Sequence, residues 1–175
     1  FFEFIQNIPF DGLSVLCKDN LGVKKLIKRI TNRNFVTYGF SQDSDLRASN
    51  ISFDKTSSYF DVKIKKKFLF KNEIIKGIKL NMLGKHNILN CLAAISVAKI
   101  LNIQTKNIKN TFKKFKGVQR RFTLIKTINE VKIFDDYAHH PEEIKSTLDS
   151  VKILEPKNTI VVFQPHRYSR FGFLY

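Results

Sequence analysis

The stretch that decides the fold class is residues 13–40, LSVLCKDNLGVKKLIKRITNRNFVTYGF. It opens with a short apolar run of strand length, Leu13 to Cys17, followed by a turn or cap signal at Asp19-Asn20. Leu21 to Ile30 carries apolar residues at helical spacing with Lys and Arg on the other face, and Phe35 to Phe40 is again strand-like. This strand–helix–strand order is typical of an α/β layer with a parallel sheet.

The sequence on both sides of this stretch extends the prediction. Upstream, Phe1 to Ile8 is predicted to be the end of an amphipathic helix that Pro9 stops. Downstream, three segments alternate apolar and polar residues, which predicts antiparallel strands joined by turns near Lys55 and Asn72. These segments are Leu46 to Phe53, Ser58 to Ile64 and Phe68 to Leu80.

The second half of the chain predicts more helix and then a new α/β unit. The predicted elements are a helix at His86 to Leu101 after Gly84, a helix at Ile108 to Phe115 that Gly117 ends, a hairpin at Phe122 to Phe134 around Asn129-Glu130, a helix from Pro141 to about Leu154, and a buried parallel strand at Thr159 to Phe163. We therefore predict two domains, residues 1–118 and residues 119–175.

The charge of the chain admits two interpretations. It has 31 Lys and Arg against 15 Asp and Glu, a formal net charge of +16. One interpretation is nucleic-acid binding. The basic residues are scattered instead of lying on one predicted face, however, so we favour a general compositional bias and expect no nucleic-acid partner.

Three further features bear on the class of protein. Cys17 and Cys91 lie in apolar runs without metal-type spacing, which predicts reduced core residues of a cytoplasmic protein. No apolar stretch reaches the roughly 20 residues that span a membrane, so we expect no membrane partner. The chain begins with Phe1 instead of Met, which predicts a segment of a longer protein.

Four polar clusters carry candidate chemistry. The first is Gly84-Lys85-His86-Asn87 with Asn90, at the start of an otherwise apolar helix. Asn87 and Asn90 are three residues apart, so both amides face in a similar direction and could bind the edge of an adenine ring. The alternative is an N-cap at Asn87 and a buried amide at Asn90.

Two clusters are rich in arginine. Gly117-Val118-Gln119-Arg120-Arg121-Phe122 lies at the predicted domain boundary, and Gln164-Pro165-His166-Arg167-Tyr168-Ser169-Arg170 follows a predicted strand. Arginine binds phosphate and carboxylate through paired donors. The alternatives are a basic linker for the first cluster and a basic surface loop for the second.

The densest cluster is Asp135-Asp136-Tyr137-Ala138-His139-His140-Pro141-Glu142-Glu143, which joins a predicted strand to a predicted helix. Ligands of α/β folds bind at the carboxyl ends of strands. The alternative is helix capping by a polar loop. A metal is possible in principle, but no ligand spacing supports a closed site, so we assign no metal ligands.

In their order and spacing these clusters resemble the Mur ligase family, and the resemblance covers essentially the whole chain. Gly84-x-His86-Asn87-x-x-Asn90 resembles the adenine-contacting helix of that family. Gly117-Val118-x-Arg120-Arg121-Phe122 resembles its interdomain arginine motif. Asp135 to Pro141 resembles the first strand–helix corner of its C-terminal domain. The implied fold is the later part of a central ATP-binding domain, with parallel and antiparallel strands and helices, followed by the start of a Rossmann-like C-terminal domain.

The resemblance implies an ATP-dependent ligase that joins L-alanine to the carboxylate of UDP-N-acetylmuramate through an acyl phosphate, with Mg²⁺ as a further cofactor. It implies cofactor contacts from His86, Asn87, Asn90, Arg121 and Asp136, with catalytic roles for Arg121 and His139. It implies substrate contacts from Tyr137, His139, His166, Arg167 and Arg170. We also predict that Arg121 and Asp136 act only when the two domains close and a shared nucleotide draws them together.

Two expectations limit this function. The phosphate-loop pattern G-x-x-x-x-G-K-[ST] does not occur in the sequence, so we expect the 175 residues alone to be inactive, with the metal ligands outside them. Within the family, a peptide-recycling muramate ligase is the alternative function.

Overall fold

The computed structural model describes residues 1–68 and 70–165. Residues 13–39 form the strand–helix–strand unit that the sequence predicts, with β1 (Leu13–Cys17), α2 (Leu21–Ile27) and β2 (Asn34–Gly39), preceded by the short helix α1 (Phe2–Gln6). Strands β1 and β2 pair in parallel from Leu13 beside Asn34 to Cys17 beside Tyr38. The Asn20 side chain accepts a hydrogen bond from the Val23 N–H, so Asn20 caps α2 as the turn signal predicts.

A five-stranded mixed sheet is the centre of the fold. Its order is β1-β2-β3-β4-β5, with β3 at Leu46–Phe53, β4 at Ser58–Ile64 and β5 at Glu73–Leu80. Strand β3 continues the parallel part beside β2, whereas β4 and β5 are antiparallel. The mixed α/β fold class is therefore confirmed.

Two helices cover this sheet. Helix α3 (Lys85–Ile100) packs across β1, β2 and β3, and helix α4 (Thr105–Lys114) packs against β5. The core between sheet and helices includes Leu46, Phe60, Ile78, Ile88 and Leu92, each almost completely buried. We call this assembly, α1–α4 with β1–β5, the five-stranded unit.

The second unit is smaller. Strands β6 (Thr123–Ile128) and β7 (Val131–Asp135) form an antiparallel hairpin, and α5 (Pro141–Lys152) follows. Asn129 and Glu130 connect the strands, and both have positive φ values of 46° and 67°, as a tight two-residue hairpin turn requires. We call this assembly, β6, β7 and α5, the hairpin unit; it contacts the five-stranded unit where α5 meets α3.

Two strand predictions need correction. The strand predicted from Phe68 begins only at Glu73, and the connection before it holds one isolated bridge, between Lys67 and Phe70. Phe68 has a φ of 50°, which ends any extended run at that position.

The second correction concerns Thr159 to Phe163, which form no strand, and Ile160 and Val162 are 90% and 93% exposed. A strand needs a neighbouring strand to pair its backbone groups, and in the described residues neither sheet includes this segment. The prediction of a buried parallel strand there was wrong for this structure.

Candidate active site

The start of α3 forms one wall of the candidate site. Gly84 is the N-cap, with φ of 100° and ψ of 142°, a backbone conformation that is essentially restricted to glycine. A Cβ atom on Gly84 would overlap the Oγ of Ser150 in α5 and lie 2.9 Å from Nδ1 of His86. Gly84 therefore permits α5 and the His86 ring to approach the start of α3 closely.

The two amides of the first cluster have different environments. Asn87 is buried, and its Nδ2 donates a 2.8 Å hydrogen bond to the Leu83 carbonyl. Asn90 is exposed. The alternative of an N-cap at Asn87 and a buried amide at Asn90 is therefore wrong, because Gly84 is the N-cap and Asn90 is not buried. Asn87 keeps its Oδ1 as an acceptor beyond the Leu83 bond, and Asn90 presents its whole amide at the surface.

His86 links the start of α3 with the hairpin unit. Burial lowers the pKa of His86 below its ordinary value of 6.5; the nearby Asp136 carboxylate opposes this shift, and the Arg121 guanidinium adds to it. A charge shifts a pKa appreciably only when it lies close by, so His86 is near Arg121 and Asp136 although they are far apart in the sequence. At neutral pH the imidazole is uncharged and offers one donor and one acceptor.

Arg121 enters the site through a strained segment. Arg120 and Phe122 on either side of it have φ values of 57° and 51°, in the left-handed region that bulky residues avoid. The Phe122 ring stacks on Phe134 of β7 with centroids 4.5 Å apart, which holds this conformation in place.

Arg121 and Asp136 lie side by side in one unit. Arg121 precedes β6 and Asp136 follows β7, so the hairpin brings them to the same end. The Asp136 carboxylate accepts hydrogen bonds from the N–H groups of Phe122 (2.8 Å) and Ala138 (2.7 Å). The expectation that domain closure brings Arg121 to Asp136 was therefore wrong, because the hairpin has already joined them.

The strand–helix corner caps α5. His140 is the N-cap, and its Nδ1 accepts from the Glu142 N–H at 3.3 Å. The Glu143 carboxylate accepts in return from the N–H groups of His139 (3.2 Å) and His140 (3.3 Å). The helix-capping interpretation thus holds for His140 and Glu143.

Tyr137 and His139 stand beside this cap. The Arg120 guanidinium lies over the Tyr137 ring, 5.0 Å from its centroid, and the Tyr137 N–H donates to the Arg120 carbonyl. The His139 ring meets Tyr137 edge-on at 5.4 Å, and its Nδ1 lies 3.1 Å from the Tyr137 carbonyl. Both side chains are thus held at the surface next to Arg121 and Asp136.

Glu143 is the residue that the sequence analysis did not assign to the site. Its Oε1 lies 3.5 Å from the Arg121 guanidinium, and its Oε2 lies 3.6 Å from His139 Nδ1. Its position three residues after the cap His140, as in a capping box, was the signal that could have identified it.

The remaining assignments fall elsewhere. His166, Arg167 and Arg170, which the sequence analysis assigned to the substrate, lie outside the described residues. Within residues 1–68 and 70–165 no three His, Cys, Asp or Glu side chains gather as a metal site would require. Over the same residues, no helix has the length and hydropathy to cross a membrane.

Comparison with known proteins identifies the family. Residues 1–98 match the family model of the Mur ligase middle domain, and residues 120–172 match that of the Mur ligase, glutamate ligase domain. The chain belongs to the Mur ligase family. The resemblance found in the sequence clusters is thereby confirmed.

Curated relatives and solved structures of Mur ligases support this assignment along the chain. UDP-N-acetylmuramate–L-alanine ligases of Rickettsia bellii and Rickettsia felis are each 49% identical over 179 residues, covering 100% of this chain. The chain spans 37% of the length of these relatives.

Among solved structures, UDP-N-acetylmuramate-alanine ligase from Thermotoga maritima matches with a TM-score of 0.69 and 28% identity, covering 89% of this chain and 34% of its own. A murein peptide ligase from Psychrobacter arcticus matches with a TM-score of 0.62 and 27% identity, covering 87% of this chain and 31% of its own. The two TM-scores are too similar for the fold to distinguish an alanine ligase from a murein peptide ligase.

Proposed function

We propose that this Mur ligase chain is part of an enzyme that uses ATP to join L-alanine to UDP-N-acetylmuramate. In this proposal the chain binds the adenine and ribose of ATP and helps to activate the muramate carboxylate. The observation that carries the proposal is the packing of α5 against the start of α3, where a Cβ on Gly84 would meet both Ser150 and His86. The 2.8 Å bond from the Phe122 N–H to Asp136 holds Arg121 and Asp136 at the same corner. The names of the Rickettsia relatives, at 49% identity, support L-alanine as the amino acid.

The residues at this contact suit a nucleotide. The Asn90 amide and the Asn87 carbonyl oxygen offer the donor and acceptors that an adenine edge pairs with. Neutral His86 adds an apolar ring face beside them. Arg121 offers a guanidinium fork to phosphate oxygens, and Asp136 offers carboxylate oxygens to ribose hydroxyls. Tyr137 and His139 would line the substrate side, together with His166, Arg167 and Arg170.

The reaction needs an activated carboxylate. A carboxylate oxygen of UDP-N-acetylmuramate attacks the γ-phosphorus of ATP, and ADP leaves, giving an acyl phosphate. The nitrogen of L-alanine then attacks the acyl carbon, phosphate leaves, and the nitrogen loses a proton. In this proposal Arg121 stabilises charge on the transferred phosphoryl group, and His139 orients the substrate at the same edge.

Mg²⁺ would neutralise phosphate charge in this reaction, but the described residues gather no ligand set for it. We assign no metal ligand among the described residues and derive no step from the metal. We further propose a cytoplasmic enzyme, since Cys17 and Cys91 are both free thiols.

A grafted ligase tests the function. Here the 175 residues replace the matching segment of the Rickettsia bellii relative, and phosphate release is measured with ATP and UDP-N-acetylmuramate. We expect release to require L-alanine, and a murein peptide not to replace it. Release with the murein peptide but not with L-alanine would favour the peptide-recycling alternative. Salt-sensitive binding of DNA or RNA without ligase activity would favour a nucleic-acid-binding protein.

A further inference from the structure

The two carboxylate oxygens of Glu143 have separate tasks. Oε2 accepts from the N–H groups of His139 and His140 and so completes the cap of α5. Oε1 takes no part in these cap bonds and lies 3.5 Å from the Arg121 guanidinium, which donates to it. One side chain therefore joins the helix start, the His139 segment and the arginine that precedes β6.

Electrostatics agree with a carboxylate that stays charged at this position. Partial burial raises the pKa of Glu143, but the two backbone N–H donors, Arg121 and His139 lower it more, so the net shift is downward. The Glu143 and Arg121 side chains are 35% and 47% exposed. A pair this exposed contributes little to folding.

We propose that Glu143 is a positioning residue for the ligase reaction, which orients Arg121 towards the nucleotide phosphates and fixes it relative to His139. This inference rests on the proposed function and deepens it, since Arg121 is the phosphate contact there. Glu143 touches neither ATP nor substrate in this arrangement. It acts through Arg121 by holding the guanidinium fork before the nucleotide arrives.

The substitution Glu143→Gln separates the two tasks. Glutamine serves as well as glutamate in a capping box, so its amide oxygen keeps the bonds from His139 and His140. The glutamine NH₂ group then faces Arg121, and because both groups are hydrogen-bond donors the bond to Arg121 is lost. A purely structural role of Glu143 therefore predicts a nearly normal variant, and a positioning role predicts a loosened Arg121.

Glu142→Gln is the matched control. Glu142 lies in the same helical turn and loses the same charge, and its carboxylate makes no ion pair within the described part of the chain. In the grafted ligase we expect Glu143→Gln to raise the Michaelis constant for ATP about fivefold, with melting temperature and the constant for L-alanine nearly unchanged. Glu142→Gln should leave all three unchanged.

A double-mutant cycle tests whether Glu143 acts through Arg121. In an Arg121→Ala background the effect of Glu143→Gln on ATP should disappear, because the group it orients is gone. An equal effect in both backgrounds, or a lower Michaelis constant for ATP in Glu143→Gln, would overturn the inference. If the unmodified grafted ligase is active and Glu143→Gln has the same Michaelis constant for ATP as Glu142→Gln, the inference fails and the proposed function stands.

A second measurement does not depend on ligase activity. In the 175-residue chain, the Nε–H resonance of Arg121, assigned by its loss in Arg121→Lys, should shift in Glu143→Gln but not in Glu142→Gln. A resonance that stays in place in Glu143→Gln would show that the pair does not restrain Arg121, and would overturn the inference. An inactive unmodified graft would count against the proposed function alone.

Discussion

Gly84→Ala should be the most damaging single-methyl change at the contact between the two units. The new Cβ would overlap Ser150 Oγ, which belongs to a completely buried residue, and would lie 2.9 Å from both Cε1 and Nδ1 of His86. The backbone conformation of Gly84 adds about 1–3 kcal/mol of strain for any residue with a side chain. Forcing a methyl group into a packed contact adds about 1–3 kcal/mol more. We therefore expect a loss of about 2–6 kcal/mol in the free energy of unfolding.

Gly77→Ala is the control for strain alone. Gly77 has φ of 63°, and a Cβ there would meet nothing within 4 Å. Its left-handed conformation should cost about 1–2 kcal/mol. Both variants of the 175-residue chain are measured by urea unfolding. Adding Ser150→Ala to Gly84→Ala should recover part of the loss, because the overlapping oxygen is removed. Equal losses in Gly84→Ala and Gly77→Ala, with no recovery, would refute the close approach of α5 to α3.

Three further predictions concern single side chains. Burial lowers the pKa of His86 in the folded chain, so as the pH falls the unfolded chain binds a proton at this residue before the folded chain does. The free energy of unfolding should therefore be constant above about pH 6.5 and decrease below it. In urea unfolding at several pH values, His86→Gln should make this decrease smaller. An equally steep fall in the variant would contradict this assignment. In the grafted ligase, Asn90→Ala should raise the Michaelis constant for ATP about tenfold without changing the melting temperature. Asn87→Ala should instead lower the free energy of unfolding by about 1–3 kcal/mol, because the Leu83 carbonyl loses its hydrogen-bond donor. A lower melting temperature and an unchanged constant in Asn90→Ala would oppose the adenine role. Burial raises the pKa of the Cys91 thiol to about 12, so iodoacetamide should label Cys91 only after the chain unfolds. Peptide mass spectrometry measures the labelling, and rapid labelling of the folded chain would contradict the burial of Cys91.

The sequence was sufficient for those parts of the fold that local signals determine. Strands β1, β3 and β4 begin and end at the predicted residues, because an apolar run marks β1 and alternation marks β3 and β4. The segment 159–163 has the composition of a buried strand but lies exposed. A strand also depends on a neighbour, and no local pattern reports which segment, if any, lies beside it.

The candidate site shows the same division. Its residues could be named from sequence clusters, and the cap at the start of α5 follows from local chemistry. The approach of His86 to Asp136 joins residues that are fifty positions apart, and only the packing of α5 on Gly84 reveals it. The pairing of Glu143 with Arg121 depends on the hairpin geometry in the same way.

The fate of the carboxylate oxygens in the grafted ligase tests the central claim most directly. UDP-N-acetylmuramate labelled with ¹⁸O in its carboxylate is incubated with ATP and L-alanine, and product and phosphate are analysed by mass spectrometry. The proposed acyl phosphate transfers one carboxylate oxygen, so each released phosphate should carry one ¹⁸O, and the product should be the L-alanine amide of the muramate. Unlabelled phosphate, or phosphate release that is independent of L-alanine, would contradict the proposal that this chain activates the muramate carboxylate for joining to L-alanine.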